Sequence, residues 1–126
     1  MLAAVLLPAP AFGQTAYFSI TGDFNTAGDQ LDVLFFLNRP VSNSETLRFE
    51  TFASSGGTNA AGNSIADGPG DSVLRLLNSS IVLVAEDDDL SFLSRDALIG
   101  FNDGDTPLSS PLGADNYRLQ LSDFDD

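Results

Sequence analysis

The chain has 126 residues, 43% of them hydrophobic and ten of them Phe, with a formal net charge of −13 from 18 acids against five Arg and no Lys. That length suits one domain, and that hydrophobicity a folded core rather than a disordered polymer. The charge repels phosphate backbones and anionic lipid heads, which argues against nucleic acid and membrane surfaces as partners. With no Cys, His or Trp, disulfides, most transition-metal sites and the common nucleophile–base pairs are excluded.

The opening "MLAAVLLPAPAFGQ" reads as an apolar stretch followed by small residues. Ala11, Phe12 and Gly13 form a small-x-small cleavage site before Gln14. The apolar stretch is too short to span a bilayer, no basic residue precedes it, and Pro8 and Pro10 disfavour a regular element there. Residues 1–13 are therefore expected to be a signal peptide and 14–126 a single exported domain. From Gln14 onward the periodicity is two rather than 3.6. "AYFSITG" is a first strand candidate and "GDFNTAGDQ" a turn. "LDVLFFLN" is a strand stopped by Pro40. "TLRFETFA" alternates, with Leu47, Phe49 and Thr51 on one face and Arg48, Glu50 and Phe52 on the other. Residues 54–71, with five Gly and one Pro, read as a long loop. "SVLRLLN" and "IVLVAE" form a hairpin about Asn78, Ser79 and Ser80. "DALIGF" is a further short strand, closed by the turn "NDGD". "YRLQLSDF" ends the chain, with Tyr117, Leu119 and Leu121 in phase.

About seven short strands with frequent turns predict an all-β fold, an antiparallel β-sandwich of jelly-roll-like form. No internal repeat or interdomain linker is present. The last strand reaches the terminus without a closing segment, which reads as the end of a piece of a longer parent chain.

"GGTNAAG", then "GD" and an apolar strand, then "AEDDD", "SRDALIGF" and the closing "NYRLQLSDFDD" stand in the order of a known bacterial family. Over residues 17–126 the chain resembles the pre-peptidase C-terminal-like β-sandwich of exported proteins, especially those bearing a PEP-CTERM sorting signal. The chain departs from that family's pattern in "GPGDSV", which lacks the usual Phe and Pro, and in its Asn78-Ser79-Ser80 turn. The sorting signal itself is absent. The resemblance implies a fold and an exported location, periplasmic, cell-surface or extracellular, and no reaction.

The acids are the first candidate site. Calcium takes about 6–8 oxygen ligands from carboxylates, carbonyls and water. Strand-end loops of a sandwich cluster, and the repulsion of gathered carboxylates is relieved by a cation. Asp71, Asp88, Asp89 and Asp96 are the preferred metal set, with Asn102, Asp103 and Asp105 of "NDGD" nearby in sequence. The spacing fits no EF-hand. The competing reading, favoured for the acids as a whole, is a hydrated tip that keeps a sheet edge from pairing. The glycine loop is no phosphate loop, for it lacks Gly-Lys-Ser/Thr and a following helix; it reads as packing across one end of the fold. Carboxylate pairs suited to glycoside hydrolysis are expected by chance among so many acids, so no catalytic residue is assigned. Alternating Phe reads as core, and Tyr117 as packed with its hydroxyl near the rim. Arg48, Arg75, Arg95 and Arg118 read as local ion-pair partners, for example cross-strand to Glu50 or to neighbours of Asp96.

The sequence thus predicts a non-catalytic exported accessory or surface-interaction module, monomeric as an isolated domain, with calcium at its acidic loops as the second reading of those acids behind a hydrated tip. A module binding carbohydrate, cell-envelope or extracellular polymer is the alternative, and a carboxylate hydrolase ranks third.

Overall fold

The computed structural model describes residues 2–4, 18–20, 29–89, 95–102 and 108–124. Among them the chain is all-β and helix-free. The strands are β1 Leu2–Ala4, β2 Gln30–Leu37, β3 Leu47–Glu50, β4 Gly57–Thr58, β5 Ser64–Ile65, β6 Ser72–Leu77, β7 Leu83–Asp87, β8 Leu98–Phe101 and β9 Asp115–Asp123. Five of them form one sheet in the order β1-β2-β9-β6-β7, while β3-β8 and β4-β5 are separate pairs. Every pair is antiparallel except β1 on β2.

The central ladder follows from side-chain alternation. β2 and β9 pair without a break from Gln30 opposite Ser122 to Leu37 opposite Asp115. A period of two then sends Val33 and Phe35 to the same face as Leu119 and Tyr117. β6 adds on the far side of β9 with Leu74 opposite Leu121 and Leu76 opposite Leu119, extending that apolar face. Phe49 of β3 and Ile99 and Phe101 of β8 cover it, and all of these join one buried cluster with Leu108 and Leu112. Phe35 is the hinge of this packing. Its ring lies 5.3 Å from Phe49 and 5.4 Å from Tyr117, and each such pair adds about 0.5–1.5 kcal/mol beyond area burial. Tyr117 packs as its phase predicts, and its hydroxyl donates to the Gly113 carbonyl at 3.1 Å.

Four features differ from the sequence reading. Leu2–Ala4, inside the segment read as a signal peptide, lies as a strand beside β2. Residues 18–20 form no strand; Phe18 and Ile20 instead pack singly against the core. The long glycine loop contains the β4–β5 hairpin, closed by Asn59, whose Oδ1 accepts the N–H of Ala61 and Asn63 at 3.1 and 2.9 Å. The loop folds on itself at Gly56, where φ is +62° and a Cβ would stand 2.6 Å from the Ile65 carbonyl oxygen; only glycine fits there. Finally, β7 begins at Leu83 and not at Ile81. Asn78 takes up the intervening residues: its N–H donates to the Val82 carbonyl and its Oδ1 accepts from Ser80 and Val82. Ile81 is thereby held at φ 59°, a costly conformation for a β-branched residue.

Candidate functional site

Strand register collects the predicted acids at one end of the molecule. Asp71 precedes β6, whose first residue Ser72 stands opposite Asp123 of β9. Asp87 closes β7 opposite Leu74, with Asp88 and Asp89 beyond it. Asp96 lies two residues before Leu98, which stands opposite Glu50 at the end of β3. The predicted set Asp71, Asp88, Asp89 and Asp96 therefore shares an end of the fold. Sharing an end does not make a cage: among the described residues no group of three or more acids lies close enough to hold a metal ion. Asp103 and Asp105 lie outside the described residues.

Each acid is in a distinct environment. Asp96 is buried, 3% exposed, and its two carboxylate oxygens accept the N–H groups of Ser54 at 2.7 Å and Ser55 at 2.8 Å. Burial alone would raise its pKa, but these backbone bonds hold it below the ordinary carboxylate value. The buried charge is thus matched by oriented peptide dipoles, and the carboxylate pins the start of the glycine loop to the segment leading into β8. Asp71 is 3.6 Å from the Arg95 guanidinium, and its carbonyl accepts the Phe124 N–H at 2.7 Å. Asp88 and Asp89 are exposed.

Of the acidic run at residues 86–89, the member that turns inward is Asp87, which the sequence reading did not select. Its carboxylate accepts the Leu98 N–H at 2.7 Å, tying the end of the five-stranded sheet to the first residue of β8. Burial raises its pKa, the Leu98 N–H opposes this, and the charges of Asp88 and Asp89 raise it further. Glu86 points outward and pairs with Arg75 across the ladder.

Beside Asp96 lies a buried hydroxyl pair. Thr51 Oγ1 and Ser72 Oγ are 2.6 Å apart. Thr51 Oγ1 accepts the Ala97 N–H at 2.7 Å, and Ser72 Oγ donates to the Arg95 carbonyl at 3.3 Å. Thr51 Oγ1 also lies 3.4 Å from the Ala97 carbonyl, so each hydroxyl has a backbone carbonyl and the other hydroxyl within reach. The sequence carried a signal for this: Thr51 falls in phase with Leu47 and Phe49 on the inward face, and a hydroxyl on a core face must find partners. Its partners, 21 and 46 residues away, were not readable.

The arginines are paired on the surface, as the sequence predicts, but Arg48 meets Glu50 at 2.9 Å along one strand and not across the sheet, while Arg118 meets Asp32 at 3.5 Å. Arg95 meets Asp71 rather than the acids around Asp96. Tyr117, one of the two tyrosines able to stack on a sugar, is buried; Tyr17 lies outside the described residues. Comparison with protein-family models, with characterised proteins and with solved structures finds no match to this chain.

Proposed function

We propose that the chain is a non-catalytic, exported accessory or surface-interaction module, and that the β3–β8 pair over the five-stranded sheet completes a jelly-roll-like sandwich of the pre-peptidase C-terminal-like kind. The observation that carries this reading is how the buried polar side chains are used. Thr51, Ser72 and Asp96 are turned onto backbone groups and one another, so they fasten strands and loops rather than face a substrate. The Tyr117 hydroxyl bound back to Gly113 supports the sandwich, since the same tie from a strand-borne Tyr to upstream backbone marks Greek-key sandwiches. The apolar opening segment supports export.

Calcium is the subsidiary part of the proposal. Asp71, Asp88 and Asp89 stand at one end of a chain of net charge −13, and a cation drawing them together would stabilise the fold by mass action. Asp96 would contribute indirectly, by fixing the loop behind them. Two measurements test the reading. Cosedimentation with isolated cell-envelope polymer is expected to retain the protein, and turnover on a panel of glycosidic substrates would overturn the non-catalytic assignment. Melting in EDTA against added calcium is expected to show a rise with calcium and not with magnesium; identical melts would remove the ion.

A further inference from the structure

β7 is the last strand of the five-stranded sheet. It is bonded to β6 on one side, and among the described residues no strand is hydrogen-bonded to the other; β8 meets it at Asp87, whose carboxylate accepts the Leu98 N–H. Sheet edges are ordinarily guarded by charge, proline or a covering element. Here Ile81, Val82, Leu83 and Val84 are 67%, 56%, 51% and 37% exposed in succession, with neither charge nor proline among them. Asn78 occupies the N–H and carbonyl of Val82, so the edge open to pairing starts at Leu83. At its other end the strand runs into Asp88 and Asp89, both exposed, while Glu86 is engaged by Arg75. The edge therefore presents apolar side chains first and negative charge second.

We propose that the outer edge of β7 takes up an extended peptide segment of a partner protein, antiparallel to the strand, with basic residues at its N-terminal end and β-branched apolar residues after them. Strand addition supplies backbone hydrogen bonds whatever the sequence, and the flanking side chains supply selectivity. Antiparallel pairing is the more stable ladder and sets the N-terminus of the guest beside Asp88 and Asp89. Charge decides between a foreign segment and a second copy of this chain: two copies bring −13 against −13, whereas a basic segment is attracted. The proposal rests on the interaction-module reading and names the class of partner; it requires neither calcium nor envelope polymer, so it stands or falls separately from those tests.

The test uses the full chain and a labelled octapeptide, Lys-Arg-Lys-Val-Thr-Val-Thr-Val, read by fluorescence anisotropy, with the reversed sequence as control. Saturable binding of the first peptide is expected, at least about tenfold tighter than the reversed one, weakening between about 0.05 M and about 0.3 M salt. Val84→Lys and, separately, Leu83→Lys should weaken it at least about tenfold while the cooperative melt is kept, because both residues are exposed. Asp88→Asn with Asp89→Asn should weaken it about 2–10-fold. Absence of saturable binding, equal binding of the reversed peptide, or indifference to both lysine variants would overturn the proposal. So would sedimentation showing that the chain instead dimerises through this edge, with the dimer lost in Val84→Lys.

Discussion

Asp96→Asn separates an anchoring carboxylate from a metal ligand. In the native fold the two oxygens of Asp96 accept the backbone N–H groups of Ser54 and Ser55, at 2.7 and 2.8 Å, in a site 3% exposed, with the Ser55 side chain and the Ala53 backbone adding to the set. Asn keeps the shape and one acceptor but turns an amide NH2 toward the second N–H. One charge-assisted hydrogen bond, about 1.5–3 kcal/mol, is lost and a buried donor is left unmatched, so the expected cost is about 2–4 kcal/mol. Asp96→Ala removes both acceptors and should cost about 3–5 kcal/mol, a large share of the roughly 5–15 kcal/mol that holds a domain together. Urea unfolding at neutral pH reads this as a midpoint lowered by about 1–3 M, with the slope unchanged. The pH dependence carries a definite sign. The folded-state pKa of Asp96 lies below its ordinary 3.8, so its stabilisation is present above that value. It is lost as the pH falls toward 3.8 and through the depressed folded value, and the gap between wild type and Asp96→Asn should close over that window. The measurement is made in EDTA and repeated in calcium. Equal losses in both support the anchor; a loss confined to calcium would refute it and make Asp96 a metal ligand.

Three further outcomes follow from the same structure. Asp87 titrates with the opposite sign: its folded pKa is raised, chiefly by burial, so folding is favoured as it protonates and penalised as the pH rises through that value. Asp87→Asn, which keeps an acceptor for Leu98, should therefore be neutral or stabilising at pH 7 and lose this acid-side gain, as read by melting temperature against pH. Leu76 is 0% exposed between β7 and β9, and Leu76→Ala should cost about 2–5 kcal/mol in urea unfolding. Ile81→Gly relieves the φ of 59° at an exposed position and should stabilise by about 0.5–1 kcal/mol, seen as a melting temperature higher by a few degrees.

The strands legible in the sequence are those whose one buried face writes an alternation: Val33 and Phe35, Leu74 and Leu76, Tyr117 and Leu119. Pro40 and the turn residues bound them. What was not legible depends on distant partners. β7 starts two residues late because one residue, Asn78, accepts the N–H groups of Ser80 and Val82 on its side-chain oxygen and donates its own N–H to the Val82 carbonyl. The glycine loop contains a hairpin because Asn59 closes it from within. Asp96 has the composition of a ligand and the position of a clamp; what distinguishes the two is a pair of N–H groups 41 and 42 residues earlier in the chain. Thr51 announced itself by standing on an apolar face, without naming Ser72 or Ala97. Asp87 was passed over because nothing in "EDDD" says which acid turns inward; the register of Asp87 opposite Leu74 does.

In this fold β9 runs down the middle of the sheet, Phe49 of β3 and Ile99 and Phe101 of β8 join the core on its apolar face, and among the described residues β7 has no hydrogen-bonded neighbour on its outer side. Residue-resolved amide hydrogen exchange tests it most directly, because protection follows burial and pairing on both sides of a strand. Exchange is expected to be slowest in β9 and in the facing amides of β2 and β6, and markedly faster at the outward amides of β7. Uniformly fast exchange across β2, β6 and β9, or protection of β7 equal to that of β9, would contradict it.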